Sequence, residues 1–307
     1  MTDRHRSIRF GIFVILAALG LRIWATPPEK PNTAAAAAST ETGQKVRSFP
    51  SLMGYSPEFP PETAIPALYP QLHFGEDEMP ELTNTAGLEA DLPALLAEPL
   101  GWDLREGAVL ILSTHATESY TKDGEGYEES ADFRTLDEGF NMLSIGDRIE
   151  QLLAAAGITV IRDRELHDYP SYNGSYAHAR ADLEALLEAH PEVSLVLDLH
   201  RDAADGPDGR QYRPLAGDRA KLMVVLGSGF GHWQENLSLA LKLCAQLERQ
   251  HPGITRPIQL RRATFNQDLS PGALLIEVGA AGNTRAEALK AVEELASAII
   301  ALSRGTV

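Results

Sequence analysis

The sequence predicts an α/β fold: a mostly parallel β-sheet flanked by helices. Three observations from about residue 100 onward support this. Short, continuous apolar runs are typical of strands buried on both faces. Segments with helical spacing of apolar residues separate these runs. Gly, Pro and capping residues stand between the two kinds of segment. Strands that alternate with helices form βαβ units, whose strands run parallel, so we expect one catalytic domain over residues 99–307.

Five apolar runs are the predicted strands. The first, at 108–112, reads Ala-Val-Leu-Ile-Leu without interruption, as expected for a strand with helices on both sides. The others cover residues 158–161, 193–199, 222–226 and 273–278.

Four segments with helical spacing accompany these strands. The first carries apolar residues from Met142 to Leu153 on one face and ends near Gly157, a residue suited to a helix C-terminus. The last begins with Thr284 and Glu287, spaced as in a capping box, in which each side chain binds the other residue's free backbone N–H. The other two cover residues 183–187, before Pro191, and 237–247, before Pro252.

Residues 1–25 have the pattern of a targeting segment. Three arginines precede an uncharged run at 10–21, and Arg22 follows it. Basic residues before an apolar run keep that end in the cytoplasm and send the rest across the membrane. We expect a single-pass anchor in the cell membrane with an extracytoplasmic catalytic domain. The alternative is a cleaved signal peptide, although residues 18–20 form a poor cleavage site.

Residues 26–98 are predicted to be an extracytoplasmic spacer. Prolines recur throughout the segment, and alanine fills positions 34–38. Proline at this density disfavours helices and central strands, so we expect an extended or disordered tether. Partial helical spacing between Leu88 and Leu96 allows short elements near its end.

The composition argues against nucleic acid as a partner. With 27 Lys+Arg against 43 Asp+Glu, the chain carries a net charge of −16. Nucleic-acid binding requires a concentrated basic surface, and no basic run follows the first ten residues. The single cysteine, Cys244, cannot form an intrachain disulfide, and its helical context favours a buried structural thiol over a nucleophile.

Polar residues at the ends of three predicted strands form a metal-site pattern. His115 and Glu118 follow the first strand, His200 ends the third, and Glu277 lies near the end of the last. Ligands bind at the carboxyl ends of strands in such sheets, so these side chains are expected to converge. Taken singly, a His-x-x-Glu arises by chance in many chains, and His200 could belong to a surface ion-pair cluster. A carboxylate inside an apolar strand, however, is costly unless it is paired or functional.

These residue types suit hydrolysis with Zn²⁺. A hydrolytic zinc takes three protein ligands and leaves one position for water, and a carboxylate outside that set transfers the water's proton. We therefore expect His115, Glu118 and His200 as zinc ligands and Glu277 as the catalytic base. The arrangement is similar to the two-histidine, one-glutamate set of zinc peptidases.

Several longer motifs point to one family. The motifs resemble the stage II sporulation protein P family over about residues 105–303. They are Thr114–Tyr120, His167–Tyr176, Asp198–Ala203, Phe265–Leu269, Glu277-Val278-Gly279 and Asn283-Thr284. The family is similar in layout to the zinc N-acetylmuramoyl-L-alanine amidases that remodel bacterial walls.

The resemblance implies a hydrolase of peptidoglycan that acts during engulfment in sporulating bacteria, with an N-terminal membrane anchor and the phosphorylase/hydrolase-like fold of zinc wall amidases. It implies cleavage of the amide between muramic acid and L-alanine, and also of peptide cross-links. It further implies two partners, the stage II D transglycosylase and the stage II M membrane protein. Carried over by motif, His115, Glu118 and His200 are zinc ligands and Glu277 is catalytic. Wall amidases generally place the ligand glutamate at the start of the next helix, which makes Glu138 the alternative to Glu118.

Four further residues are candidates for binding substrate. Stem peptides are anionic, and Arg201 and Arg180 could pair with their carboxylates. Alternatively, Arg201 pairs with a neighbouring aspartate and orients His200. Asn266 and Asn283 could bind peptide amides or cap turns.

Two other functions fit the same residues. A zinc carboxypeptidase on other peptides would need a clamp for a terminal carboxylate, and no clear one is present. A non-catalytic scaffold that binds the wall would not need the intact set of His115, Glu118, His200 and Glu277.

Overall fold

The structure is a computed structural model that describes residues 73–100, 104, 107–128, 133–206 and 210–305. The chain divides into two compact units, Met1–Pro61 and Glu62–Val307, and the described residues all belong to the second. The expected targeting segment, 1–25, and most of the expected spacer, 26–98, lie outside the described residues.

A seven-stranded sheet forms the centre of the second unit, in the order β1-β8-β7-β9-β4-β2-β3. Every neighbouring pair is parallel except β7 with β9. The predicted α/β fold with a mostly parallel sheet is therefore confirmed. The strands are β1 (Leu82–Asn84), β2 (Ala108–Leu112), β3 (Thr159–Arg162), β4 (Val193–Asp202), β7 (Leu222–Gly227), β8 (Ile258–Arg261) and β9 (Ala273–Ala280), with β5 (Leu215–Ala216) and β6 (Arg219–Ala220) forming a separate hairpin.

Five helices surround the sheet: α1 (Leu92–Ala97), α2 (Met142–Ala155), α3 (Ser175–Ala189), α4 (Trp233–Gln250) and α5 (Arg285–Gly305). Alternate residues of β2 face different cores. Val109 and Ile111 belong to the large core that includes α2, α4 and α5, whereas Leu110 and Leu112 pack in the smaller core of α3. Helices on both faces explain why this strand is continuously apolar.

Both predicted helix ends are present. Gly157 follows α2 with a φ of 82°, a left-handed conformation that glycine adopts without steric cost. At the start of α5, Glu287 N donates to Thr284 Oγ1 at 3.3 Å, and Thr284 N donates to Glu287 Oε2 at 3.1 Å. Cys244 is buried in α4, and burial raises the pKa of its thiol to about 12, as expected of a structural cysteine.

The folded region extends N-terminal of residue 99, where the catalytic domain was expected to begin. β1 pairs with β8 at the edge of the sheet, and α1 packs against α4. Asp91 caps α1 by accepting a hydrogen bond from Ala94 N at 3.1 Å. Strands β1 and β8 are short, and in β8 the buried residues alternate with polar ones. Neither strand therefore produces a continuous apolar run in the sequence.

The expected single-pass membrane localisation is not supported and is corrected. Within the described ranges, no helix has the length and apolar character that crossing a membrane requires. The two longest helices carry charged residues along their length, including Glu235 and Lys242 in α4 and Lys290 and Glu293 in α5. Charged side chains in the centre of a bilayer are costly.

Candidate active site

His200 and Glu277 lie next to each other on the two central strands β4 and β9. The parallel register pairs them directly. His200 is only 3% exposed, and Oε2 of Glu277 is buried without a hydrogen-bond partner. An isolated acid inside the sheet is costly, so its presence points to a ligand or a reaction at this position.

His115 reaches the same place from the turn after β2. Asp198 on β4 accepts hydrogen bonds from Thr114 N at 2.8 Å and from Thr114 Oγ1 at 2.7 Å. Asp168 binds Thr117, two residues after His115, in the same way: it accepts hydrogen bonds from Thr117 N at 3.2 Å and from Thr117 Oγ1 at 2.6 Å. The two aspartates fix the backbone on both sides of His115.

The three expected metal ligands and Glu277 come together. The rings of His115 and His200 meet edge to face with centroids 5.1 Å apart, and His200 Nδ1 lies 3.8 Å from Glu118 Oε2. His115 Nδ1 and His200 Nε2 are buried without a hydrogen-bond partner. His200 Nε2 lies 3.0 Å from Asp198 Oδ1, the distance of an ion pair, but without the alignment of a hydrogen bond.

Unpartnered imidazole nitrogens beside a buried carboxylate are the donor set that a zinc ion requires. The residues present therefore fit a metal ion. Glu118 lies within this set, whereas the alternative ligand Glu138 is exposed and pairs with Arg164 at 3.2 Å. The geometry favours Glu118.

The pKa values of the ionisable groups at the site shift in different directions. Burial, and then the charge of His200, lowers the pKa of His115 to about 3. Burial alone would lower the pKa of His200, but Asp198 outweighs it and raises the value to about 9. Burial raises the pKa of Glu277 to about 8.

Arg201 holds the Glu118 loop in place. Its backbone N donates to Glu118 Oε2 at 3.1 Å, and its guanidinium donates to Ser119 O and Phe133 O, each at 3.0 Å. The residue is 3% exposed, and its contacts favour the alternative, a positioning role, over the expected contact with substrate.

The side chains of the other three expected substrate contacts are engaged within the protein, and their contact with substrate stays a prediction. Arg180 forms a bidentate pair with Asp268, at 3.0 and 2.9 Å. Asn266 Nδ2 donates to Tyr176 O at 2.8 Å, in a left-handed turn. Asn283 is fully buried, and its Oδ1 accepts from Ala280 N at 3.0 Å, which leaves it a structural role at the start of α5.

Tyrosines form the wall beside His115. Tyr172 stacks on its ring with centroids 4.5 Å apart, and Tyr176 meets it edge-on at 5.5 Å. Arg134 lies over the ring of Tyr172 at 4.7 Å and also contacts Glu118 Oε1 at 3.3 Å and Asp168 Oδ2 at 2.6 Å. Tyr172 is 54% exposed, so one side of this stack faces solvent.

A second group of possible metal ligands lies outside this site. Asp163, His167 and Asp182 offer ligand atoms that all lie within 4.8 Å of one another, a limit that the expected trio does not meet. His167 Nε2 is 2.7 Å from Asp163 Oδ2, and its Nδ1 is 3.6 Å from Asp182 Oδ2. Carboxylates therefore engage both ring nitrogens of His167, as they do for a protonated imidazole, whereas His115 Nδ1 is buried without a hydrogen-bond partner.

Sequence reasoning missed Arg134, and it assigned no role at the metal site to Asp198, Asp168, Tyr172 and Tyr176, although these four lie within the motifs that carry the family resemblance. Thr114 and Thr117, on either side of His115, were the available signal. Buried hydroxyls and backbone amides need hydrogen-bond acceptors, so these threonines indicate that acceptor side chains lie nearby. Nothing in the residue spacing identifies Asp168, Arg134 or the tyrosines as those neighbours, since they come from separate loops.

The sequence matches one protein-family model and a curated relative. A family model described as Stage II sporulation protein P (SpoIIP) matches residues 66–300. A curated relative, Stage II sporulation protein P of Bacillus subtilis (strain 168), is 27% identical over 205 residues, which cover 61% of this chain and 49% of the relative. The chain thus spans about half the length of that relative.

Solved structures of lower similarity also match. N-acetylmuramoyl-L-alanine amidase AmiC2 of Nostoc punctiforme is 15% identical, with a TM-score of 0.38 over 64% of this chain and 97% of that chain. The amidase Ami1 from Mycobacterium smegmatis is 14% identical, with a TM-score of 0.40 over 67% of this chain and 98% of that chain.

Proposed function

Because this chain belongs to the stage II sporulation protein P family, we propose that it is a zinc-dependent peptidoglycan hydrolase of sporulating bacteria. The bond it cleaves is the amide between N-acetylmuramic acid and L-alanine, and peptide cross-links are a second class of substrate. One observation carries the proposal: two histidines, each with a buried ring nitrogen that has no hydrogen-bond partner, meet beside Glu277, whose Oε2 is also buried without one, at the carboxyl ends of three parallel strands.

The donor set assigns the role of metal ligand to three side chains. His115, Glu118 and His200 would hold the metal, because they supply two imidazoles and one carboxylate from adjacent elements. When bound, zinc supplies an acidified water molecule and polarises the scissile carbonyl.

Glu277 transfers the proton. Its carboxylate accepts a proton from the attacking water as the new C–O bond forms, and it delivers that proton to the alanine nitrogen as the C–N bond breaks. Burial raises the pKa of Glu277 to about 8, which suits a group that must both take and release a proton near neutral pH.

Two residues position this machinery. Asp198 binds the backbone and hydroxyl of Thr114 and also lies beside His200, so it orients both imidazoles. Arg201 fixes Glu118 from below the site. The partners that the family resemblance implies, the stage II D transglycosylase and the stage II M membrane protein, fit an enzyme that needs accessible wall strands.

Digestion of wall material tests the proposal. Purified sacculi are incubated with the full chain, with and without chelator, and new amino termini are identified by mass spectrometry. We expect stem peptides that begin with alanine, and none after chelation. Release of single C-terminal residues would instead indicate a carboxypeptidase, and wall binding without any product would indicate a scaffold.

A further inference from the structure

Tyr176 lies against both imidazoles of the candidate active site. Its ring meets the ring of His115 edge-on with centroids 5.5 Å apart, and it lies nearly parallel to the ring of His200, at 15° and 6.4 Å. Because the two imidazoles are themselves 5.1 Å apart, the three rings form a closed triangle. Tyr176 is partly exposed, so solvent reaches this group of rings.

The position of Tyr176 is fixed from two directions. It lies in the first turn of α3, which follows Gly174 with a φ of 90°. From the loop after β8, Asn266 Nδ2 donates to Tyr176 O at 2.8 Å, and the ring of Phe265 packs against the tyrosine ring at 5.9 Å. Phe265 and Asn266 have φ values of 50° and 55°, a left-handed conformation that is uncommon outside glycine. Strained backbone of this kind is concentrated at functional sites, where the surrounding structure holds it in place.

The hydroxyl of Tyr176 is a hydrogen-bond donor without an acceptor in the described part of the chain. Of the residues that the structure describes, none forms a hydrogen bond with it. Burial, and then the charges of Asp198, Glu277 and Glu118, raise the pKa of Tyr176, so the hydroxyl lies within range of the carboxylates that surround the histidines. A phenol keeps its proton at neutral pH even without such neighbours. The hydroxyl can therefore donate to a ligand at this site.

The proposed reaction needs a donor at this place. As water adds to the scissile carbonyl carbon, the electron pair of the C=O bond moves to the carbonyl oxygen, which becomes negative. The guanidinium groups of Arg134 and Arg201 are engaged with carboxylates and backbone carbonyls of the protein. Tyr176 offers the donor that these two arginines do not.

We propose that the Tyr176 hydroxyl donates a hydrogen bond to the oxygen of the scissile carbonyl as negative charge develops there; this assignment rests on the proposed function. The water oxygen forms the new bond to carbon while its proton passes to Glu277. When the C=O bond re-forms, the C–N bond breaks and the nitrogen receives that proton. Tyr176 keeps its own proton throughout, so its contribution is electrostatic stabilisation of the transition state.

Tyr176→Phe tests the assignment, because it removes the hydroxyl and keeps the ring. With the zinc-loaded full chain and a soluble muramoyl-L-alanyl peptide, kcat should fall by about 10²-fold and KM should change by less than about twofold, since this hydrogen bond forms in the transition state. Tyr212→Phe removes the same atom from a ring that packs against Arg256 and should change neither constant. Zinc content and melting temperature should equal those of the wild type in both variants.

Binding supplies a readout that does not depend on turnover. The probe is a phosphinic analogue of the same peptide, in which a tetrahedral, negatively charged phosphorus group replaces the scissile carbonyl. Tyr176→Phe should weaken binding of this analogue by about 10²-fold, and it should weaken binding of the planar peptide to Glu277→Gln protein by less than about twofold. A merely structural role would weaken both alike.

The outcomes separate this inference from the proposed function. If the wild type cleaves the peptide and Tyr176→Phe cleaves it equally fast, the inference fails and the proposed function stands. Equal losses of affinity for the analogue and the planar peptide, or loss of zinc from Tyr176→Phe, would also overturn the inference. If the wild type cleaves neither the muramoyl amide nor peptide cross-links, the proposed function fails and the assignment of Tyr176 fails with it.

Discussion

His200 on β4 lies directly opposite Glu277 on β9, because the two central strands are parallel and in register at this pair. The sheet itself therefore places a proposed metal ligand beside the proposed base, with no loop between them. His115 and Glu118 reach this pair from one turn after β2, which Asp198 and Asp168 hold through two threonines. Rigid strands and anchored turns give the preorganisation that catalysis needs.

Glu277→Gln should abolish turnover but keep the fold. The amide has nearly the same shape as the carboxyl group but cannot take a proton from water, so kcat should fall by about 10²-fold or more. The melting temperature should not fall, because the substitution removes an ionisable group from a buried position. Glu188→Gln, on the exposed side of α3, is the matched control. Full turnover by the Glu277 variant on sacculi would show that the base is a different residue.

Zinc content should depend on His115 and His200 and not on the group formed by Asp163, His167 and Asp182. We expect about one zinc ion per chain in the wild type and almost none in His200→Ala, measured by elemental analysis after dialysis. Asp182→Asn should retain the ion, because Asp182 contacts only the already engaged His167 in that group. Retention of zinc in His200→Ala together with its loss in Asp182→Asn would instead indicate that the metal site is Asp163, His167 and Asp182.

Arg201 should be required for stability as well as activity. Arg201→Gln removes the guanidinium that donates to the backbone carbonyls of Ser119 and Phe133 and that contacts Glu118 Oε1 at 3.5 Å, so unfolding free energy should fall by about 3–5 kcal/mol in a denaturant titration. Lysine should not restore it, since one ammonium group cannot reach the separated acceptors of a guanidinium. Arg180→Gln breaks an exposed pair and should cost about 1 kcal/mol or less. Equal losses at the two positions would argue against the positioning role.

The sequence was sufficient to predict the central part of the fold. Four of the five strands that it predicts, β2, β4, β7 and β9, are largely buried and read as apolar runs, and the Thr284–Glu287 cap depends only on local spacing. The short edge strand β1 and its neighbour β8, in which buried and polar residues alternate, were missed because neither produces a continuous apolar run. His115, Glu118, His200 and Glu277 could be expected to converge, because each lies in or just after a central strand. For Arg201 and Asn283 the sequence left substrate contact and a structural role both open, because burial depends on long-range packing that residue type does not reveal.

His167 should make stability depend on pH. Burial disfavours its charge, but the hydrogen bond that the ring donates to Asp163 and the charges of Asp163 and Asp182 outweigh burial and raise the pKa of the imidazole. A raised folded-state pKa means that the stabilising charge is fully present below the usual histidine pKa and is lost as pH rises through the folded value. His167→Gln should therefore lower the unfolding free energy most at mildly acidic pH, with a difference from wild type that shrinks at alkaline pH. Asp163→Asn should remove most of that pH dependence, whereas His251→Gln at the end of α4 should leave it intact. A constant difference between His167→Gln and wild type across this range would show that the imidazole is neutral between its two aspartates.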